Sequence, residues 1–217
     1  MTASSERLFL PAAGRDIFLP FYDLLTRFAG LDTAREVLLA QSEFEPGQRI
    51  LDVGCGTGTL AVLIKRRYPT AEVIGVDPDP KALARARAKA EHAGVAVRFD
   101  RGFSDALGHP DGTFDRVLSS MMFHHIASDA KPRALREVHR VLRVGGRLEL
   151  LDFTGPHSSP RGAVARMIHS HRQLKENDAH RVLGLMRGAG FHDAKLLGLR
   201  STLFGGLAYY EARKEAS

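Results

Sequence analysis

Three glycines in a short loop, and an acid that follows them, have the clearest chemical meaning in this sequence. Gly54, Gly56 and Gly58 come directly after an apolar run and before a helical pattern. A loop of this kind lets the backbone approach a ligand closely and directs free N–H groups towards it. Asp77 stands 19 residues after Gly58, at the end of the next apolar run. Such an acid can accept hydrogen bonds from two ribose hydroxyls, so the pattern predicts a nucleoside-binding site.

The spacing of the glycines distinguishes two classes of nucleoside cofactor. The dinucleotide fingerprint carries a third glycine three residues after the second. This chain has Thr59 at that position. A nicotinamide-dependent dehydrogenase is therefore the weaker alternative.

Two histidines follow the fourth predicted strand, at the sheet edge where folds of this type bind ligands. His124 and His125 come five and six residues after Ser119. An imidazole can accept a proton near neutral pH, so we expect one of them to act as a general base. We prefer His124, because His125 can instead cap the turn that follows. A purely structural role for both residues is the alternative.

The elements that must position these residues alternate between strand and helix. Apolar runs predict strands at 49–53, 72–76, 95–99, 114–119 and 147–151. Helical patterns separate them at 59–68, 80–93 and 131–142. This alternation predicts a parallel sheet covered by helices.

The two ends of the chain have other patterns. Residues 16–41 show apolar residues at helical spacing and predict two helices, while a further helix is predicted over 178–187. Gly205 and Gly206 separate two apolar runs, which predicts a tight hairpin and hence an antiparallel last strand.

We expect a single domain over residues 1–217. Its predicted parts are a helical cap (1–45), a cofactor-binding core (46–152) and a substrate-facing segment with the final hairpin (153–217). Residues 16–41 and 153–181 flank the core, and we expect them to form the acceptor pocket.

Composition restricts the environment and the partners. The formal net charge is +6 and the pI about 9.8, but many arginines alternate with alanine on predicted helix faces and indicate a solvated surface. Cys55 is the single cysteine, so an internal disulfide is excluded. It lies at a predicted helix start, where packing inside the loop is a commoner reason for cysteine than catalysis. No apolar run approaches a membrane span and no signal peptide is recognisable, so we expect a cytoplasmic protein.

A metal site has little support in the sequence. His169, His171 and His180 are the only candidates, without a cysteine or carboxylate cluster beside them. We therefore expect no metal.

Four segments together resemble the class I S-adenosylmethionine-dependent methyltransferases, and within them the ubiquinone/menaquinone biosynthesis group. They are residues 50–58, 76–78, 110–115 and 141–148. The resemblance implies a Rossmann-like α/β fold, with a seven-stranded, mostly parallel sheet, an antiparallel last strand and helices on both faces. It also implies S-adenosylmethionine as the cofactor and methyl transfer by in-line displacement to an oxygen, nitrogen or carbon atom of a small-molecule acceptor, with a quinol or phenol favoured.

The resemblance implies a role for each matching residue. Gly54, Gly56, Gly58 and the neighbouring backbone hold the methionine part of the cofactor. Asp52 orders the loop and reaches the ammonium through water, Asp77 accepts from the ribose hydroxyls, and Ser119 faces the transferring methyl group. The remaining cofactor contacts are Pro78, Phe103 and Ser104 at the adenine and Tyr22 at the carboxylate.

One position departs from the family. An acid commonly follows the glycine that corresponds to Gly102, where this chain has Phe103. Asp105 could replace that acid only if the turn shifts.

The sequence leaves other functions open. An RNA or other macromolecular acceptor and a non-catalytic cofactor-binding protein both stay alternatives. A DNA acceptor is not expected, because the fourth strand is not followed by the Asn/Asp-Pro-Pro-Tyr/Phe motif. A homodimer is compatible with the sequence but not indicated by it.

Overall fold

The computed structural model describes residues 31–154, 177–202 and 205–216. The helices of these residues are α1 (Leu31–Ser42), α2 (Thr59–Arg67), α3 (Pro80–His92), α4 (Lys131–Val141) and α5 (Ala179–Gly188), with one 3-10 turn at Phe123–His125. The strands are β1 (Arg49–Val53), β2 (Glu72–Asp77), β3 (Arg98–Arg101), β4 (Phe114–Ser120), β5 (Leu142–Thr154), β6 (His192–Thr202) and β7 (Gly205–Arg213).

All seven strands form one sheet in the order β3-β2-β1-β4-β5-β7-β6. The first five strands in this order are parallel, and β7 runs antiparallel to both β5 and β6. The predicted Rossmann-like sheet with a reversed last strand is confirmed. The order reverses at β1, which pairs with β2 on one side and β4 on the other, and this reversal opens the crevice in which such sheets bind ligands.

Both faces of the sheet are covered because each strand sends alternate apolar residues to opposite sides. Ile50 and Leu118 belong to the core under α1, α2 and α3, whereas their neighbours Leu51 and Val117 belong to the core under α4 and α5. The predicted helices on both faces are thus confirmed.

The start of α3 shows how local chemistry fixes an element near the ligand crevice. The Asp79 carboxylate accepts from the Lys81 N–H at 2.8 Å, and Pro80 occupies the first helical position. Both features favour a helix start. Because Asp79 lies two residues after Asp77, the end of β2 and the start of α3 are fixed together.

The structure corrects the predicted hairpin and one strand. Gly205 and Gly206 belong to β7, where they pair with Thr202 and Ser201. The predicted turn at the glycines is therefore wrong, although the two strands are antiparallel neighbours. Pairing of β3 begins at Arg98 rather than at residue 95, because its partner residues in β2 are 74–77.

Several predictions fall outside the described residues. They concern the first predicted helix of the cap, Tyr22, and most of the predicted acceptor pocket, including His169 and His171. Within the ranges that the structure describes, no helix is long and apolar enough to cross a bilayer.

Candidate active site

A cavity of about 720 Å³ opens at the carboxyl ends of β1, β2 and β4. Its volume lies within the usual range for small-molecule sites. The predicted residues on its wall are Asp52, Gly54, Gly56, Asp77, Pro78, Phe103, Ser104 and His125. The structure therefore brings most of the predicted cofactor residues to one place.

The three loop glycines have different structural roles. All three adopt positive φ, at +73° for Gly54, +52° for Gly56 and +76° for Gly58. Gly54 and Gly56 line the cavity. Gly58 instead packs inside the fold, because a Cβ there would lie 2.8 Å from the Ala86 Cβ and 3.0 Å from the Phe99 ring.

Asp77 joins the glycine loop to the end of β2. Its Oδ2 accepts from the Gly56 N–H and its Oδ1 accepts from the Asp79 N–H, both at 2.9 Å. Burial raises the pKa of Asp77 above its usual value, although the two N–H donors oppose that rise. The carboxylate is thus fixed in the cavity wall by the backbone of the two elements that bound it.

Asp52 is a buried acid that faces the same cavity. It is 1% exposed, and no described residue hydrogen-bonds its Oδ2. The pKa of Asp52 is raised to about 7, mainly by burial. The positive charge of Arg35 lowers this pKa and the negative charge of Asp77 raises it further. A buried, unpartnered carboxylate oxygen in a cavity wall is suited to binding a cationic group of a ligand.

Arg35 is a cavity residue that the sequence analysis missed. It lies on α1, where its Nε donates to Ser120 Oγ at 3.3 Å and its Nη1 donates to Asp32 Oδ1 at 2.9 Å. Its side chain is 8% exposed. A helix arginine normally indicates a solvated face, so only the contact of α1 with the end of β4 reveals its position.

Ser119 lies one residue away from the cavity wall. Its hydroxyl donates to the Val53 carbonyl at 2.9 Å, between β4 and β1. The next residue, Ser120, lines the cavity instead. Met121 then takes a φ of +58°, a region that non-glycine residues rarely adopt and that is often found at functional sites.

Phe103, Ser104 and Asp105 form the wall of the cavity beyond Asp77. Phe103 makes an antiparallel bridge to Ala106. Asp105 forms an ion pair with Arg133 of α4, with 3.4 Å between the Oδ2 and Nε atoms. The departure at Phe103 thus places an aromatic residue and, two positions later, an acid on the same wall.

The two histidines occupy different positions. His125 lines the cavity, and His124 packs against it with 4.0 Å between ring centroids. Asp152, at the end of β5, accepts from the His124 backbone N–H at 2.7 Å and lies 2.5 Å from its ring Nδ1. Sequence reasoning prefers His124 as the base, whereas the structure puts His125 on the wall and fixes His124 behind it.

Cys55 also lines the cavity, but its environment does not favour a reactive thiolate. Burial, with the charges of Asp52 and Asp77, raises the pKa of the thiol well above its usual value. Its sulfur also lies 2.9 Å from where a Cβ on Gly75 would be. Packing therefore accounts for this cysteine.

Comparison with known proteins identifies the family. Residues 50–146 match the model of a methyltransferase domain. The chain is 44% identical over 152 residues to the demethylmenaquinone methyltransferase of Thermus thermophilus, covering 68% of each protein. This chain belongs to the class I S-adenosylmethionine-dependent methyltransferases, in the ubiquinone/menaquinone biosynthesis group.

Two further comparisons place this methyltransferase among its relatives. It is 35% identical over 140 residues to the ubiquinone/menaquinone biosynthesis C-methyltransferase of Xanthomonas campestris, covering 61% of this chain and 54% of that protein. The phosphoethanolamine N-methyltransferase 2 of Haemonchus contortus has the same fold, with a TM-score of 0.80 at 17% identity over 99% of this chain and 61% of that one. The methyltransferase uses S-adenosylmethionine as its cofactor. The matched domain covers residues 50–146, so α1 and β7 both lie outside it.

Proposed function

We propose that this methyltransferase transfers the methyl group of S-adenosylmethionine to a ring carbon of a small quinol-like acceptor. One observation carries the proposal: a single cavity joins the cofactor residues Asp52, Gly56 and Asp77 to the imidazole of His125. The names of the two quinone-pathway relatives support the acceptor class and the carbon acceptor.

The described residues fit the cofactor. Asp77 would accept from the ribose hydroxyls, as its place at the end of β2 suggests. A Cβ on Gly56 would meet no atom within 4 Å, so there is open space beside the loop for a ligand. The free Oδ2 of Asp52 would receive the methionine ammonium, and Phe103 and Ser104 would face the adenine. When bound, the cofactor supplies a methyl group already activated by its positive sulfur.

The acceptor end of the cavity is largely apolar. Its wall around His125 contains Met121, Met122, Ile126, Ala127 and Ala130. Such a surface suits a flat aromatic ring and excludes the water that would solvate it. The protein mainly aligns the ring carbon with the methyl group, at about 3–3.5 Å.

His125 supplies the acid–base step. Its imidazole takes the proton of a quinol hydroxyl, so that electron density moves to the neighbouring ring carbon. That carbon would then take the methyl group that the bound cofactor supplies, with the electron pair of the cleaved carbon–sulfur bond left on the departing S-adenosylhomocysteine. The protonated His125 would return its proton to the quinol oxygen and take the proton of the methylated carbon, so that the ring becomes aromatic again and one proton is finally released to solvent. Asp152 and His124 position the His125 ring from behind.

The function can be tested with a blocked acceptor. Purified protein is incubated anaerobically with methyl-labelled S-adenosylmethionine and 1,4-naphthohydroquinone, or with its 2,3-dimethyl derivative, and products are analysed by mass spectrometry. We expect ring methylation of the first compound and no product from the second. An O-methyl ether from either compound would contradict a carbon acceptor, and label in added cellular RNA instead of the quinol would contradict a small-molecule acceptor.

A further inference from the structure

The methionine end of the cofactor carries two opposite charges, and the cavity presents two buried side chains of opposite charge. Asp52 provides the acid. The basic residues with guanidinium groups on the described wall are Arg35 and Arg133. Only one of these two arginines lies near Asp52, and the contacts of each side chain show which one.

Arg133 belongs to the other end of the cavity. Its side chain is 50% exposed and forms ion pairs with Asp105 and Asp129. Asp105 shares its wall with Phe103 and Ser104, so Arg133 lies near the predicted adenine position.

Arg35 lies at the end that holds Asp52. Its charge lowers the pKa of Asp52 against the larger effect of burial. Its Nε donates to Ser120 Oγ, so the guanidinium is fixed at the end of β4, next to the end of β1. Its anionic partner Asp32 is 45% exposed and holds Nη1. Among the residues that the structure describes, the contact of Nη2 is to the Met121 sulfur, at 4.0 Å.

We propose that Arg35 binds the carboxylate of the cofactor's methionine, while Asp52 binds its ammonium. A buried guanidinium is stabilised by a carboxylate that it can hydrogen-bond, and Ser120 with Asp32 already fixes its orientation. The inference rests on the proposed placement of the cofactor, with its ribose at Asp77. It assigns part of the cofactor site to α1, outside the matched methyltransferase domain.

Three ligands separate this contact from a general loss of structure. S-adenosylhomocysteine has both charges, its decarboxylated analogue keeps only the ammonium, and 5′-methylthioadenosine has neither. Calorimetry with the full chain measures each affinity for wild type, Arg35→Gln and Arg35→Lys. The matched control is Arg67→Gln. Arg67, at the end of α2, forms an exposed ion pair, 3.2 Å long, with Glu36 of α1, the helix that carries Arg35.

We expect Arg35→Gln to lower the affinity for S-adenosylhomocysteine at least about tenfold, because a charge-assisted hydrogen bond is lost. The affinities for the two ligands without a carboxylate should change less than about twofold. Arg67→Gln should leave the affinities for all three ligands unchanged. Equal weakening of all three ligands, or of none, would overturn the proposal. If Arg35→Gln does not fold, Arg35→Lys is used for the same test. This variant should prefer S-adenosylhomocysteine over the decarboxylated analogue by a smaller factor than wild type does, and an unchanged factor would overturn the proposal. Failure of wild type to bind any of the three would instead refute the placement of the cofactor.

Discussion

The carboxylate of Asp152 holds His124 at two points, the backbone N–H at 2.7 Å and the ring Nδ1 at 2.5 Å. Its Oδ1 also accepts from the Phe153 N–H at 2.7 Å. One fully buried acid therefore fixes both the turn after β4 and the orientation of an imidazole. His125 packs on that imidazole, so its position depends on Asp152, an acid of β5.

The two histidines should respond differently to alanine. His125→Ala should reduce turnover by about 10²–10⁴-fold with nearly unchanged affinity for S-adenosylhomocysteine, since it removes the base. His124→Ala should lower the melting temperature first, because it leaves the Asp152 carboxylate buried without its ring partner. Steady-state kinetics on the authentic acceptor, calorimetry and thermal unfolding make the comparison. Full turnover in His125→Ala would show that it is not the base.

Asp77→Asn should weaken the binding of S-adenosylhomocysteine at least about tenfold, because hydrogen bonds to a charged acceptor contribute roughly 1.5–3 kcal/mol each. Asparagine keeps an oxygen for one of the two N–H groups, that of Gly56 or that of Asp79, and so limits the loss of folding stability. Asp100→Asn, at the end of β3 and away from the cavity wall, is the matched control. Calorimetry that gives the same affinity for Asp77→Asn and wild type would remove Asp77 from the cofactor site.

Substitution of the loop glycines should separate stability from affinity. A Cβ on Gly54 would lie 2.1 Å from the Met122 Cγ, so Gly54→Ala should cost about 2 kcal/mol or more of unfolding free energy. Gly56→Ala has no such clash and should cost about 1–2 kcal/mol for its positive φ, while its methyl group fills cofactor space and lowers affinity. Gly94 also has a positive φ, at +64°, and open space around it, so Gly94→Ala measures the backbone cost alone. Urea unfolding and calorimetry on all three decide it; normal cofactor affinity in Gly56→Ala would contradict the placement of the loop.

Asp52 should make the unliganded protein less stable as the pH rises. Its pKa is raised from 3.8 to about 7 in the folded state, so between these values the folded chain holds a proton that the unfolded chain has lost. Each pH unit in this window reduces the unfolding free energy by about 1.4 kcal/mol or less.

Asp52→Asn cannot ionise and should gain stability relative to wild type between pH 5 and pH 8, while binding the cofactor more weakly. Asp111→Asn, an acid on the surface with 79% of its side chain exposed, provides the control. Urea unfolding at both pH values measures the difference in unfolding free energy between Asp52→Asn and wild type. An equal difference at pH 5 and pH 8 would show that Asp52 is ionised in the folded state as well as in the unfolded state. Glu149, with a pKa raised by burial to about 8, adds a similar trend that Asp52→Asn leaves in place.

The sequence predicted those features that depend on local pattern. The strand at 49–53, Gly54, Gly56 and Asp77 can be read from apolar runs and glycine spacing. The strand has its predicted bounds, and the three residues line the cavity. Arg35 could not be recognised, because a basic residue on a short helix is normally solvated until packing buries it. Asp152 was hidden for a related reason: it ends a strand 28 residues after His124, and only the parallel pairing of β4 with β5 brings them together.

Ser119 marks the limit of reading a strand end by position alone. The predicted strand ends at Ser119, but pairing continues to Ser120. Because successive side chains alternate between faces, this shift of one residue exchanges which serine faces the cavity.

The position of β7 has a consequence for synthesis of the chain. This strand comes after all the others in chain order, yet it lies between β5 and β6 and contributes the buried Tyr209 and Tyr210 to opposite cores. A nascent chain released only as far as Thr202 has β5 and β6 without the partner that joins them. Completion of the sheet must therefore wait until translation has passed residue 213, and until then the exposed edge of β5 is a surface on which chaperones or other nascent chains can pair.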